Sequence, residues 1–360
     1  MSVEELGRRV LRDVEEGGLD ELIKDLWKAR NAGQSMHFGI PELDRLVPVV
    51  EQPPALPLPQ PETFSSSPPL PVQTTAIKKP LQKMPMIELI SSGPGAGKTS
   101  LIYYIIAVAI LPSTYSSTPI GGQSSAVVVL DTDNRFRVER LVEVMASYVS
   151  SRLRAAGIPQ QQNTDGMRDL IHACLAHVHI FHLQTMHSLL ATLKSLPEYL
   201  ESRTAHRSAH RRLHSIFLDS ASAFFWPTRA AEENGTSPVT AMETYALLAR
   251  ELTTVSQRFC CAVVASAWDV GAGQLFTQRL RASLPMSWSS FPTLRLALRR
   301  VPVPRFTVGM TVQEAEAEKE MRWGVVSRGW CEAWVLGGSG LEGFFFRVGE
   351  GVDIEGDSNP

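Results

Sequence analysis

Cysteine is scarce. The 360 residues contain four, Cys174, Cys260, Cys261 and Cys331, with no C-x-x-C pair. So sparse a set excludes a disulfide scaffold, and a reducing compartment is the expected home. Long hydrophobic runs are missing as well. The longest, Leu101–Leu111, has eleven residues, about half of a membrane span. It is expected as a helix buried on all sides, and no membrane association is expected. Met1–Asp13 is charged throughout and has no apolar stretch of the kind an export signal carries. An excess of charge of either sign is also absent. The 35 Lys and Arg against 37 Asp and Glu leave −2, which excludes a globally polycationic nucleic-acid binder but not a local basic patch.

What the chain does have is 44% apolar residues, enough for a large core in one large domain or two ordinary ones. Proline is unevenly placed. Eleven of the 38 residues from 48 to 85 are proline, nearly half of the 24 in the chain. Proline fixes φ and withholds an N–H, so this stretch forms neither helix nor central strand. It reads as a disordered or polyproline-like insertion, 48–85. Residues 1–35 read as a short helical arm and 351–360 as a flexible tail. The remainder, 36–47 and 86–350, is expected to form one folded core.

From Met86 the pattern is α/β. Apolar β-branched runs at 86–90, 126–131, 178–183, 215–219 and 261–265 alternate with helical patterns at 98–111, 135–156, 187–202 and 240–258. Such runs indicate a mostly parallel sheet with helices on both faces. After about Ser290 the helices are expected to stop. The runs 294–299, 305–308, 324–326 and 343–348 read as antiparallel strands completing the sheet edge.

The strongest chemical signal is Ser92-Gly93-Pro94-Gly95-Ala96-Gly97-Lys98-Thr99, followed by Ser100. It follows a strand and opens a helix, the context of a phosphate-binding loop. Glycines let successive backbone N–H groups turn inward at phosphate oxygens, and the helix start adds unpaired N–H groups. Lys98 would reach the β- and γ-phosphates of ATP, and the Thr99 hydroxyl would ligate Mg²⁺. Ser92 stands where the pattern has glycine, at some expected loss of backbone freedom. A second carboxylate is needed across the sheet. The strand Ser215–Asp219 ends in one, 120 residues beyond Thr99. The strand ending in Leu130-Asp131-Thr132-Asp133 offers a base for hydrolysis in Asp133 or Asp131, or simply a cap for the next helix.

These residues together resemble the RecA-type recombinases, and among them the eukaryotic recombinase paralogues of homologous recombination. Phe38–Leu46 is similar to the family's opening T-G-I-x-x-L-D-x-L. Leu130–Asp133 with Phe136, Glu139, Arg140 and Leu141 is similar to I-D-T-E-x-x-F-x-x-E-R-L. Leu218–Trp226 is similar to L-D-S-L-S-A-F-Y-W, the form of the branch called X-ray repair cross-complementing group two. The resemblance covers roughly 36–47 and 86–300. It implies a RecA-like ATPase core using ATP and Mg²⁺, nuclear, working with other recombinase paralogues on single-stranded or branched DNA. The implied task is double-strand-break repair, assisting recombinase filament assembly.

The departures bear on mechanism. The family's catalytic carboxylate is usually Glu, and here it is Asp133. A polar sensor ending in Gln is replaced by Ala265-Ser266-Ala267-Trp268. The family's N-terminal helical domain is expected to be absent or reduced to residues 1–35. At most a slow DNA-dependent ATPase is expected. A nucleotide-independent scaffold and an autonomous DNA-stimulated ATPase are the alternatives.

Two weaker features remain. Histidines 172, 177, 179, 182 and 187 cluster, but His179 and His182 fall on opposite strand faces, and no metal site is read there. Arg207, Arg211 and Arg212, with Arg203, would share one basic face if 203–214 were helical, and are candidate DNA contacts. Arg299, Arg300 and Arg305 were candidates for the same edge.

Deleting residues 50–80 should leave the melting temperature within a few degrees of the parent. The stretch carries little apolar surface, and loop-closure cost varies slowly with length. A larger drop in a thermal melt would show that the segment is packed.

Overall fold

The computed structural model describes residues 37–47, 84–158, 164–269, 284–303, 306–307, 309–337 and 342–355. The arm 1–35, the insertion up to residue 83 and the last five residues of the expected tail lie outside them.

The chain opens with the short helix α1 (Pro41–Leu46). The Asp44 carboxylate accepts the N–H groups of Phe38 at 2.5 Å and Ile40 at 3.1 Å. Gly39 between them has φ +72°, and a Cβ there would lie 2.5 Å from the Gln123 side chain. The F-G-I-P-E-L-D string is thus a self-capping turn whose glycine lets it press against the domain. Strand β1 (Met86–Ser91) leads through the glycine loop to helix α2 (Lys98–Ile110). Every residue from Leu101 to Ile110 is buried, as expected of its unbroken apolar run. Each large apolar side chain so buried contributes on the order of 1.5–3 kcal/mol.

A small hairpin, β2 (Thr114–Tyr115) and β3 (Thr118–Pro119), precedes β4 (Ala126–Asp131) and helix α3 (Val138–Ala155). Helix α4 (Thr164–Leu175), strand β5 (Val178–His182), helix α5 (Met186–Glu201) and strand β6 (Leu213–Asp219) follow. Then come α6 (Phe225–Glu233), α7 (Ala241–Phe259), β7 (Ala262–Trp268), the single turn α8 (Met286–Ser289) and β8 (Leu294–Arg300). Helix α7 starts at a reciprocal cap, Thr240 with Glu243, the S/T-x-x-E pattern. The chain closes with helices α9 (Val312–Ala317) and α10 (Lys319–Ser327) and strands β9 (Trp330–Val335), β10 (Gly343–Val348) and β11 (Val352–Glu355).

One nine-stranded sheet runs in the order β11-β10-β9-β8-β1-β7-β6-β4-β5. The six strands from β8 to β5 are parallel, and β9, β10 and β11 are antiparallel additions. Alternate residues feed two cores. Val127, Val129, Phe217 and Val264 meet α2 and α3, whereas Val128, Leu130, Leu218 and Val263 meet α5 and α7. The apolar strands are therefore buried on both faces, as their composition requires. Glu88 is a charge inside this sheet with no exposure. It accepts hydrogen bonds from Trp288 Nε1 at 2.7 Å and Arg295 Nε at 2.8 Å, partners two hundred residues away in sequence.

The carboxyl-terminal third departs from expectation in five ways. Strand β8 is parallel, because the chain from β7 crosses over before pairing β8 with β1. Residues 324–326, expected as a strand on their paired valines, lie in α10, where an Arg322–Glu318 pair spans one turn. Phe306 and Thr307 are not in a strand, and 305 and 308 lie outside the described residues. Residues 352–355 pair with β10 instead of hanging free. Strand β9 was missed, although Cys331 and Ala333 alternate inward as a half-buried strand does. Among the described residues no helix is long and apolar enough to cross a membrane.

Three imidazoles are buried in this fold. His177 and His179 share the Ser208 hydroxyl, each at 2.9 Å. His214 bonds the Ser215 hydroxyl at 2.6 Å behind the Phe38 ring. Burial lowers His177 and His179 to about 4 and His214 to about 3. Between those values and about 6.5 the unfolded chain binds protons that the folded chain does not, so stability rises with pH across that window. The melting temperature should therefore fall as pH drops from 6.5 toward 4, and His179→Gln should flatten that slope. A melt unchanged between pH 6.5 and 4 would contradict it.

Candidate nucleotide-binding site

The glycine loop lies between the carboxyl end of β1 and the amino end of α2, at the edge where parallel strands of an open α/β sheet receive ligands. Gly95 and Gly97 take φ +70° and +90°, which side chains disfavour. Ser92 is not among the positive-φ residues, so the expected cost of serine at the first position does not arise. A cleft of about 290 Å³ opens here, lined by Pro94 to Ser100 with Asp133, Arg135, Asp219, Ser220, Ser266, Trp268, Arg300 and Val348. Ser92 and Gly93 shape the turn without lining the cleft.

The loop is seated from behind. A Cβ on Gly97 would lie 2.7 Å from the Phe346 ring on β10 and 3.1 Å from Cys331 Sγ on β9. The antiparallel strands thus support the glycine loop.

Asp219 closes β6 and faces the loop. Its Oδ2 accepts from Thr99 Oγ1 at 3.1 Å, and its Oδ1 accepts from Ser266 of β7. Burial raises its pKa, and these two hydrogen bonds oppose the shift. Strand β7 lies between β1 and β6 in the sheet, which brings Ser266 beside Asp219. Lys98 Nζ donates to Ser91 Oγ and lies 4.1 Å from the centre of the Trp268 ring. Burial lowers Lys98 to about 8, against the pull of Asp219 and Asp133.

The two carboxylates that end β4 part company. Asp131 is buried and accepts the N–H groups of Arg135 at 3.2 Å and Phe136 at 3.0 Å. It fixes the turn into α3, which is why that helix begins at Val138 rather than 135. Asp133 lines the cleft half-buried. Burial raises its pKa, with the negative charge of Asp219 second.

The expected basic face does not form. Residues 202–212 are a run of turns rather than a helix. The Arg211 guanidinium donates to the carbonyls of Ile110 at 3.0 Å and Ser125 at 3.3 Å. Arg212 is partly buried, and Arg207 stays exposed. Arg299 pairs with Glu332 at 2.6 Å, and Arg300 faces the cleft instead. Arg305 lies outside the described residues. His179 is buried and His182 reaches the Asp131 carboxylate at 3.2 Å.

Ser91, Ser266, Arg135 and Arg300 were not singled out from sequence as cleft residues. A polar residue inside the apolar strand Ala262–Trp268 was the one available signal, and it pointed to Ser266.

Fold and cleft together define a RecA-like α/β protein. No family model matches the chain. It is similar to several DNA repair proteins. Mouse DNA repair protein XRCC2 is 31% identical over 140 residues, 39% of this chain and 41% of that protein. Mouse DNA repair protein RAD51 homolog 2 is 33% identical over 114 residues, 32% of this chain and 28% of that protein, and the human form is 31% identical over 114 residues. The matched segment thus spans about two-fifths of the mouse XRCC2 protein and about a quarter of the RAD51 homologues. These relatives bear out the resemblance to the recombinase paralogues and to the group-two branch.

Gly97→Ala should destabilise the protein by about 1–3 kcal/mol, because it combines a strained φ with a clash against the Phe346 ring. Gly97→Ala with Phe346→Leu should recover part of the loss. Chemical denaturation of the parent, both single variants and the pair measures it, and strictly additive losses would mean the ring is not what opposes the new methyl.

Proposed function

We propose that this chain binds ATP with Mg²⁺ in the cleft. We further propose that it serves as a nucleotide-binding subunit of a complex of recombinase paralogues, in the nucleus. Its task on this reading is double-strand-break repair by homologous recombination, assisting recombinase filament assembly on single-stranded DNA. The observation that carries the nucleotide reading is the meeting of Lys98, Thr99 and Asp219 at the start of a buried helix. The relatives, both DNA repair proteins, support the recombination part.

The residues present suit the ligand. The turned backbone at Gly95 and Gly97 shapes the loop, with open space where a Cβ on Gly95 would stand, and the N–H groups of the α2 terminus favour phosphate. Thr99 Oγ1 and Asp219 form the hard-oxygen pair that would hold Mg²⁺. When bound, the ion would neutralise phosphate charge. Lys98 would meet the β- and γ-phosphates. Asp133, at the rim with its pKa raised, would orient water as a weak base. Its short side chain and the missing polar sensor keep turnover slow on this reading. The nucleotide-independent scaffold is a second reading, favoured by Trp268, which takes the sensor position and holds Lys98.

Lys98→Ala should weaken ATP binding at least tenfold in a direct titration while the fold persists, since the side chain meets the loop and not the core. Unchanged affinity would mark the loop as vestigial and favour the scaffold. Asp133→Glu restores the usual carboxylate reach, and with Trp268→Gln it should release phosphate faster than either single change when single-stranded DNA is present. Equal rates for parent, singles and double would remove Asp133 from the chemistry.

A further inference from the structure

Lys98 is held by two residues that are neighbours across the sheet. Strands β1 and β7 pair in parallel with Ser91 opposite Trp268. The Lys98 ammonium donates to the Ser91 hydroxyl and sits 4.1 Å from the Trp268 ring centre. Both holders are themselves fixed. Ser91 donates its hydroxyl proton to the Gly93 carbonyl at 2.9 Å, which leaves its lone pairs for the ammonium. The Trp268 backbone N–H donates to Ser222 Oγ at 3.1 Å, which anchors the end of β7 that carries the ring, and that hydroxyl lies 2.9 Å from Ser220 Oγ just beyond β6. The Asp219 oxygens meanwhile accept from Thr99 and Ser266, one hydroxyl at each. A buried cation so placed rests on the face of the indole.

We propose that Trp268 is a positioning residue that holds Lys98 away from the phosphate cradle, so that a nucleotide must draw the ammonium off the ring in order to bind. The proposal rests on reading the cleft as a nucleotide site. An ammonium over an indole is stabilised more than an exposed one, and a site whose competent form is only partly populated binds proportionally more weakly. Trp268 therefore lowers nucleotide affinity roughly two- to thirtyfold. The lowered pKa of Lys98 agrees with this, since its burial between strand and ring is the cause of the shift. The device also makes the ring report on the ligand. Trp268 is one of seven tryptophans in the chain, and its surroundings change when the ammonium leaves.

The test is calorimetric titration of MgATP and MgADP into the full chain, with tryptophan emission recorded alongside. Trp268→Leu removes the ring but keeps apolar bulk, and should bind MgATP roughly two- to thirtyfold more tightly than the parent. Trp268→Gln gives a second ring-free variant should the leucine form not fold. Trp268→Phe keeps a ring face and should return affinity to within about threefold of the parent. The parent should change emission on binding, and Trp268→Phe should lose that change. Equal affinity in parent, Leu and Phe forms, or weaker binding in the ring-free forms, overturns the role of Trp268 and leaves the nucleotide reading standing. No binding by the parent or any variant overturns both.

Discussion

The carboxylate of Asp219 ties three parts of the protein together. It ends β6, receives the Thr99 hydroxyl from the first turn of α2 and receives the Ser266 hydroxyl from β7. A buried carboxylate needs such partners, because leaving its lone pairs unmet costs more than any one bond contributes. The arrangement therefore holds the helix start, the central strand and the carboxyl edge of the sheet in one geometry. The glycine loop has no comparable internal support. Its shape follows from where α2 begins, and α2 begins where Asp219 and the sheet allow it.

The antiparallel strands give this arrangement its back wall. Phe346 and Cys331 press against Gly97, and Val348 and Arg300 reach the cleft from the same side. Strands β8, β9 and β10 are thus structural partners of the glycine loop. From Val301 to Arg328, between β8 and β9, no described residue is buried. Helices α9 and α10 bury no residue, and Met321 and Trp323 are 61% and 69% exposed. Solvent-facing apolar side chains in a pair of short helices explain why the sequence there read as strand. The paired valines of α10 signalled apolar content, whereas the Thr311–Glu314 cap marks the start of α9.

Much of the site was legible because its parts are local. A strand, a run of glycines, a lysine and a helix stand in one stretch of chain, and their chemistry follows from that order. The buried strands were legible for the same reason, since β-branched runs report burial on both faces. What stayed hidden depends on contacts distant in sequence. Asp131 and Asp133 are two residues apart and looked interchangeable, yet one is taken up by the turn into α3 and the other faces the cleft. The basic stretch 203–214 would carry one basic face only as a helix, but Ser208 is bound by two histidines of β5 and its flank. Arg211 is drawn to carbonyls near α2 and β4.

By itself, then, the sequence determined the α/β alternation, the phosphate-loop pattern, the Asp219 strand and the kinship with recombinase paralogues. Each of these is written in neighbouring residues or in a short period. The tertiary structure decided the rest. It set the direction of β8, the pairing of Glu88 with Trp288 and Arg295, and the hold of Trp268 on Lys98. These depend on which strands lie side by side in the sheet. That order puts β7 between β1 and β6, and only there do Ser266 and Trp268 come within reach of the loop.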